Sequence, residues 1–243
     1  MNEQISPIDK SNMSARVYNE VREALVAGRF LPDERIRLQD MAERFGTSVT
    51  PVREALLRLV SERALHMQAA KMISVPPLSL ERYLELRTIR LQLEPLAAEL
   101  ATAHIGPAEL AKLVELNAQF EQAGTQGDAD ARMGFNRAFH FGIYNLCGLP
   151  TLQAIIENLW ASMGPVLKAY FLHNKAMSLI DPDQHRSLLD ALRKHDGKAA
   201  AEAIRQDILG AAPSIISFLE EIEELEKSND MNVRGAKAKE PRS

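Results

Sequence analysis

Three short amphipathic patterns occupy the first part of the chain, and each places apolar residues at helical spacing. The first pattern stops at Gly28 and the second at Gly46, the residue type that most readily takes the left-handed backbone after a helix. The predicted buried positions are Val17, Val21, Ala24 and Leu25, then Leu38, Met41, Ala42 and Phe45, then Val52, Ala55, Leu56, Leu59 and Val60. We therefore predict three short helices around one core.

The pattern changes after the third helix. The segment ALHMQAAKMISV is apolar and β-branched on both sides of a centre of small residues, which predicts a two-stranded wing. Pro76 and Pro77 then interrupt the chain, and Ser79 can cap a new helix. From there the chain shows only long helical patterns, which glycine and proline breaks divide into about six helices. This change of period indicates a domain boundary.

The predicted fold is therefore mainly α, with a winged helix-turn-helix domain at residues 13–78 and an all-α helical bundle at residues 79–226. Residues 1–12 are predicted to form a flexible N-terminal tail. Residues 227–243 are charged and lack an apolar stripe, which predicts a disordered C-terminal tail.

Composition narrows the class of protein. The chain has 243 residues, a net charge of -4, and no apolar run long enough to span a bilayer, so we expect no membrane role. The N terminus lacks the apolar region of a secretory signal, and Cys147 is the single cysteine, which favours a reducing cytoplasm. Residues 10–78 carry eleven basic and eight acidic residues, so the acidic excess lies outside the first predicted domain.

The stretch FGTSVTPVREALLRL, from Phe45 to Leu59, joins the second and third predicted helices by a tight turn. This spacing matches a helix-turn-helix, whose second helix enters the major groove and contacts bases through its N-terminal residues. Ser48 and Thr50 can bond phosphate oxygens, and Arg53 can contact a guanine or a phosphate. The alternative is that Thr50 and Pro51 only cap the helix, with Pro51 at its first position.

The whole of residues 28–65 reads GRFLPDERIRLQDMAERFGTSVTPVREALLRLVSERAL. It resembles the winged-helix domain of the GntR family of bacterial transcription regulators, with the family's G-x-L-x-P-G-E-R-L, L-x-x-x-A-x-x-x-G and S-x-T-P-V-R-E-A-L-x-R-L motifs. The resemblance implies that the domain contacts operator DNA. The predicted DNA-binding residues are Arg35 at the head of the second helix, Ser48, Val49, Thr50, Arg53 and, in the wing, Lys71.

Three positions depart from the GntR pattern. Asp33 replaces the customary glycine, Val49 stands where an arginine often reads a base, and Ala69-Ala70 stands where the wing usually has a glycine. We therefore expect this chain to prefer a different operator sequence from many relatives. We expect Val49 to be the main cause of the difference.

The helical region resembles the FCD-type ligand-binding domain of the FadR-like branch of the same family. TIRLQLEPLAAELA, from Thr88 to Ala101, matches its R-x-x-L-E-x-x-A-A-x-x-A helix. The resemblance implies that Arg90 binds the effector, since a guanidinium presents a fork of donors to a carboxylate. The alternative is an intrahelical ion pair between Arg90 and Glu94 at i+4.

Domains of the FCD type often hold a metal through an acid and a histidine four residues apart and two further histidines. The matching residues here are Asn136, His140, His185 and Asp207. The resemblance therefore implies a site for one divalent ion, zinc or similar. In the alternative arrangement, His140, His185 and Arg90 bind an organic acid without a metal.

These features predict a ligand-responsive transcription regulator, a repressor that binds a palindromic operator as a homodimer and responds to a small organic acid. Two other classes compete with this prediction. One is a metal-dependent enzyme that uses His140, His185 and Asp207, although no separate general base or nucleophile accompanies them. The other is a helical interaction protein without DNA binding, which the basic N-terminal segment disfavours.

Overall fold

The computed structural model describes residues 11–68, 72–173 and 182–237. Within these ranges there are nine helices and three short strands, arranged in two compact units. The first unit contains the residues up to Pro77 together with Glu157–Ala169, and the second contains Leu78–Ile156 and the residues from Tyr170 onward. Each unit has its own core of buried apolar side chains.

The three predicted N-terminal helices are confirmed. They are α1 (Ser11–Val26), α2 (Leu38–Arg44) and α3 (Val49–Ser61). Most of the predicted apolar positions are buried, while Ala24, Leu38, Phe45 and Val60 are partly exposed. Gly28 and Gly46 have φ angles of 63° and 61°, as the turns after α1 and α2 require.

The start of α3 differs from the prediction. The N-cap is Ser48, with extended backbone angles, and its side chain makes no capping hydrogen bond. Thr50 and Pro51 lie inside the first turn, so the prediction that they cap the helix is wrong. Pro51 is tolerated there because the N–H groups of the first turn have no intrahelical acceptor.

Three strands form the wing sheet: β1 (Arg35–Ile36), β2 (His66–Met67) and β3 (Ile73–Ser74). Their order is β1-β3-β2 and both pairings are antiparallel, so the predicted two-stranded wing gains a third strand. Arg35 pairs with Ser74 in β1, which corrects its predicted place at the head of α2. Lys71 and Ala69-Ala70 lie outside the described residues.

The second unit is built mainly of helices, as the bundle prediction required. The helices after Ser79 are α4 (Leu80–Ala101), α5 (Pro107–Gln126), α6 (Ala129–Tyr144), α7 (Pro150–His173), α8 (Pro182–Arg193) and α9 (Gly197–Lys237). The middle of α7 is the exception, because Glu157–Ala169 belongs to the first unit. Ser79 caps α4, because its hydroxyl accepts the backbone N–H of Arg82 at 3.2 Å. Gly127 ends α5 with a φ of 71°.

Helix α9 runs to Lys237, past residue 226, where the sequence analysis ended the bundle. Near the start of this extension, Lys227 pairs with Glu223 one turn earlier, at 3.9 Å, and pairs at this spacing favour a helix. None of the described helices has both the length and the apolar character needed to cross a membrane.

The middle of α7 belongs to the first unit, where it packs closely on α1. Gly164 lies against the carbonyl oxygen of Leu25, and a Cβ atom added to Gly164 would lie 1.9 Å from that oxygen. Trp160, in the same segment, is buried. Only glycine allows α7 and α1 to approach so closely.

We predict that Gly164→Ala destabilises the first unit by about 3 kcal/mol, because the added methyl group must push α7 away from Leu25. Gly210→Ala is the matched control, since Gly210 lies in α9 with open space around it. The control should gain up to about 1 kcal/mol from helix propensity. Urea denaturation of both variants measures the difference, and equal stabilities would contradict the close approach.

Candidate functional site

The predicted DNA-binding residues gather at the N-terminal end of α3 and on the neighbouring strand. Ser48, Thr50 and Arg53 are exposed, Val49 is half-buried, and Arg35 is exposed in β1. The hydroxyl of Ser48 makes no capping bond, so it is not used to close the helix end. A helix N-terminus attracts anions through its backbone N–H groups, which suits contact with phosphates.

The other end of α3 is held by polar contacts within the first unit. The hydroxyl of Tyr18 on α1 donates to Glu62 at 2.7 Å, and Arg58 donates to the same carboxylate at 2.9 Å while lying over the Tyr18 ring. The Asn158 amide donates to the Glu62 carbonyl oxygen at 3.1 Å. The C-terminal end of α3 is therefore anchored, and its N-terminal end faces outward.

In the second unit, one face of α6 carries polar side chains that are buried. Arg132, Asn136, His140 and Tyr144 follow at intervals of four residues, and each is less than 9% exposed. Polar groups in a core need partners, so a buried polar stripe of this kind marks a site rather than ordinary packing.

His140 meets two further ligand-type side chains, His185 of α8 and Asp207 of α9. The two Nε2 atoms lie 3.3 Å apart, and the Asp207 carboxylate oxygens lie 3.5 Å from His140 Nε2 and 3.9 Å from His185 Nε2. One ligand atom from each residue lies within 4.8 Å of the others. Two ligands of a tetrahedral zinc ion are about 3.4 Å apart, so the spacing fits a cation.

Both histidines are neutral at pH 7. Burial is the main reason that the pKa of His140 lies well below its usual value, and the neighbouring His185 ring and the charge of Arg90 add to it. Burial and the charge of Arg132 lower the pKa of His185 to about 4, despite an opposing effect of Glu121. A neutral imidazole has one nitrogen without a proton, which is the form that binds metals.

A chain of hydrogen bonds leads from His140 to α4. His140 Nδ1 lies 3.2 Å from the Tyr144 hydroxyl, which donates to Glu94 Oε2 at 2.8 Å. Arg90 donates to both Glu94 oxygens, from Nε at 2.5 Å and from Nη2 at 3.2 Å. Burial lowers the pKa of Arg90, but Glu94 raises it more. We call Arg90, Glu94 and Tyr144 the Tyr144 relay.

A second chain leads from His185 to α5. His185 Nδ1 lies 3.0 Å from Asn117 Oδ1, and the Asn117 amide donates to Glu121 Oε1 at 2.9 Å. Arg186 donates to the Glu121 oxygens at 3.1 and 2.9 Å, and these bonds are the main cause of the lowered pKa of Glu121. We call Arg186, Glu121 and Asn117 the Asn117 relay.

Asn136 supplies the remaining predicted ligand. It lies one helical turn before His140, and its Oδ1 atom is buried without a hydrogen-bond partner among the described residues. An unsatisfied buried oxygen of this kind is a fitting ligand for a cation. Relative to the pattern that the FCD resemblance implies, Asn136 stands in place of the acid and Asp207 in place of a histidine, so the total charge of the predicted ligands is the same.

The structure thus brings His140, His185 and Asp207 together and places Arg90 in the ion pair that the sequence analysis gave as an alternative. Tyr144, Asn117 and Glu121 also belong to the site, although no pattern in the sequence had predicted them. One signal was available, because Tyr144 continues the four-residue spacing of Asn136 and His140. Asn117 and Glu121 had no such signal. They lie on α5, which is far from α8 in the sequence and meets His185 only after the chain has folded.

Comparison with known families covers both units. The family described as "Bacterial regulatory proteins, gntR family" matches residues 13–75, and the FCD domain matches residues 85–209.

The sequence relatives are regulators. The chain is 36% identical to the HTH-type transcriptional regulator McbR of Escherichia coli (strain K12), over 81% of this chain and 91% of McbR. It is 28% identical to the HTH-type transcriptional repressor GlaR of the same strain, over 82% of this chain and 93% of GlaR. The alternative of a metal-dependent enzyme finds no support among these relatives.

The solved structures agree. The structure of E. coli McbR/YncC superposes with a TM-score of 0.74 at 32% identity, covering 87% of this chain and 98% of that chain. A GntR transcriptional regulator from Rhodococcus sp. RHA1 shares the fold, with a TM-score of 0.67 at 19% identity over 85% of this chain and 98% of that one.

We predict that the stability of the chelator-treated protein falls between pH 6.5 and pH 4. The unfolded chain binds a proton on His185 in this range while the folded protein does not, because its pKa is about 4. The contribution of His185, roughly 3 kcal/mol, is present above pH 6.5 and lost as the pH approaches 4.

Urea unfolding at several pH values measures this loss, and His185→Gln should flatten the dependence. His66→Gln, which changes an exposed histidine of the first unit, is the control and should leave it unchanged. If His185→Gln has the same pH dependence as the wild type, the buried histidine is not held neutral.

Proposed function

Since this chain belongs to the GntR family of bacterial transcription regulators and carries an FCD domain, we propose that it is an effector-responsive repressor. It binds a two-fold symmetric operator as a homodimer, and a small organic acid bound in the second unit alters that binding. The observation that supports the effector proposal is that His140, His185 and Asp207 lie close together in the second unit, with both histidines buried. A cytoplasmic location suits this function and the single buried cysteine, Cys147.

The arrangement of α3 supports the DNA-binding mode. Ser48, Thr50 and Arg53 are exposed at its N-terminal end, whereas contacts with Tyr18 and Asn158 hold its other end. A helix held in this way can place its first turn in a major groove. Each chain offers one such helix, so a homodimer would contact two half-sites about 34 Å apart.

The second unit supports binding of a divalent ion. His140 and His185 would supply imidazole nitrogens, Asp207 a carboxylate oxygen and Asn136 its amide oxygen. An ion bound there would offer its remaining coordination positions to the carboxylate of an organic acid. The buried rings of Phe120 and Phe139 contact His185, so this side of the cluster is lined by apolar groups.

Regulation requires that the acid bind one dimer geometry more tightly than the other. A ligand with equal affinity for both would shift nothing. The spacing between the two recognition helices is the property that this differential affinity would change. Repression agrees with the function named for GlaR, one of the relatives.

We predict that Arg53→Ala weakens binding to a DNA fragment selected from a random pool by 10- to 100-fold, about 1–3 kcal/mol. Fluorescence anisotropy over a range of salt concentrations measures the affinity and its salt dependence. Arg16→Ala is the matched control, because it removes an exposed arginine from α1, outside the predicted DNA-binding set. Wild-type protein that shows no sequence preference would overturn the DNA-binding mode.

We also predict that the protein purifies with a stoichiometric divalent ion, measured by elemental analysis. Chelation should lower the melting temperature, since a ligand present at 1,000 times its Kd stabilises by about 4 kcal/mol. Asp207→Ala should lose the ion, whereas Asp183→Ala, which removes an exposed acid from α8, should keep it. Absence of metal from wild-type protein, with no shift on adding zinc, would leave the metal-free acid site as the better proposal.

A further inference from the structure

We propose that the Tyr144 relay and the Asn117 relay are positioning devices that set which nitrogen of each histidine carries its proton. Each relay accepts the Nδ1–H of one histidine, His140 or His185, so that both Nε2 lone pairs face the same point. The inference deepens the proposed function, on which its metal arm rests. The part that concerns the proton positions can be tested on the metal-free protein alone.

The Asn117 relay fixes the proton of His185 through the orientation of one amide. Glu121 accepts only, so the group of Asn117 that faces it at 2.9 Å must be the NH₂. The amide oxygen therefore faces His185 Nδ1 at 3.0 Å. An oxygen accepts, so Nδ1 carries the proton and Nε2 carries the lone pair. The reversed amide would place its oxygen against the Glu121 carboxylate, so that two acceptors would face each other with no hydrogen between them.

The Tyr144 relay fixes the proton of His140 by the same logic. The hydroxyl of Tyr144 has one hydrogen, and it is donated to Glu94 Oε2 at 2.8 Å. What Tyr144 offers His140 Nδ1 at 3.2 Å is therefore an oxygen lone pair, and Nδ1 must be the donor. Arg90 holds the Glu94 carboxylate in place through two bonds.

The consequence is a convergence of acceptors. Two Nε2 lone pairs lie 3.3 Å apart, and the Asp207 carboxylate lies 3.5 Å from one of them. Neutral histidines with their protons on Nδ1 have no hydrogen to place between these atoms, so the contact is favourable only with a cation or another donor between them. Histidines that bind metals usually donate their other N–H to such an outer partner.

Arg90 thereby receives a role different from the effector contact implied by the family resemblance. Both its Nε and its Nη2 donate to Glu94, and it acts on His140 through Glu94 and Tyr144. The structure assigns it as a positioning residue. The equivalent arginine of the other relay, Arg186, is 56% exposed, so Asn117 is the residue on which that relay depends.

The first experiment reads the tautomers directly. Long-range ¹⁵N–¹H correlation spectra of full-length, histidine-labelled, chelator-treated protein at pH 7.5 distinguish a protonated from an unprotonated ring nitrogen. We expect protonated Nδ1 and unprotonated Nε2 in both His140 and His185. A protonated Nε2 in either residue overturns the proposal, whether or not the protein binds a metal.

The second experiment measures zinc affinity by competition with a chromophoric chelator. Tyr144→Phe and Asn117→Leu each remove one Nδ1 acceptor and should weaken Zn²⁺ binding 10- to 100-fold. Tyr170→Phe is the matched control, because it removes the hydroxyl of another buried tyrosine in the same unit and should leave the affinity unchanged. In Tyr144→Phe, His140 should populate the Nε2–H tautomer while His185 keeps its own.

The outcomes separate the two proposals. If wild-type protein binds no zinc but shows both Nδ1–H tautomers, the metal proposal fails and the relays stand. If it binds zinc, and Tyr144→Phe and Asn117→Leu match Tyr170→Phe in affinity and in tautomer, the relays fail and the metal proposal stands. Folding of each variant is checked by urea denaturation, which must show a cooperative transition as in the wild type.

Discussion

The second unit depends on one constraint, which is that the polar side chains along α6 must find partners inside a core. Leaving one buried donor or acceptor unsatisfied costs about 1–3 kcal/mol, a sizeable part of the stability of a domain. Tyr144 avoids this cost through its bond to Glu94 on α4, His140 through its bond to Tyr144, and His185 of α8 through its bond to Asn117 on α5. Several helices must therefore be correctly placed at the same time. The placement that satisfies the polar groups also brings His140, His185 and Asp207 together.

The two units use polar contacts for different purposes. In the first unit, the network around Glu62 holds the C-terminal end of α3, while Ser48, Thr50 and Arg53 at the other end are exposed. In the second unit, the hydrogen bonds lead to the buried rings of His185 and His140. We propose that the Nε2 atoms of these rings present lone pairs there. A surface that must meet a large polyanion keeps its donors outside, whereas a site for a small ligand gains strength from exclusion of water.

The sequence predicted those parts that depend on local patterns. The apolar spacing located α1, α2 and α3, and the proline and glycine breaks gave the six helices after Ser79. It also named His140, His185 and Asp207, through the family pattern. It missed the start of α3 because Ser48 and Thr50 are equally good caps, and only the backbone angles distinguish them. It missed Asn117 because the contact with His185 joins residues 68 positions apart, which no local pattern encodes.

The exchange of Asn136 and Asp207 has a consequence for the bundle. The usual FCD pattern keeps the acid and one histidine on the same helix, whereas here the acid is on α9 and the amide is on α6. The total charge of the predicted ligands is unchanged, but a cation held by them would be attracted most strongly by Asp207 of α9. An ion bound here would therefore tie three helices together electrostatically, rather than relying on neutral imidazole for the contact with α9. Binding at this position would therefore change how α9, the longest of the described helices, packs against α6 and α8.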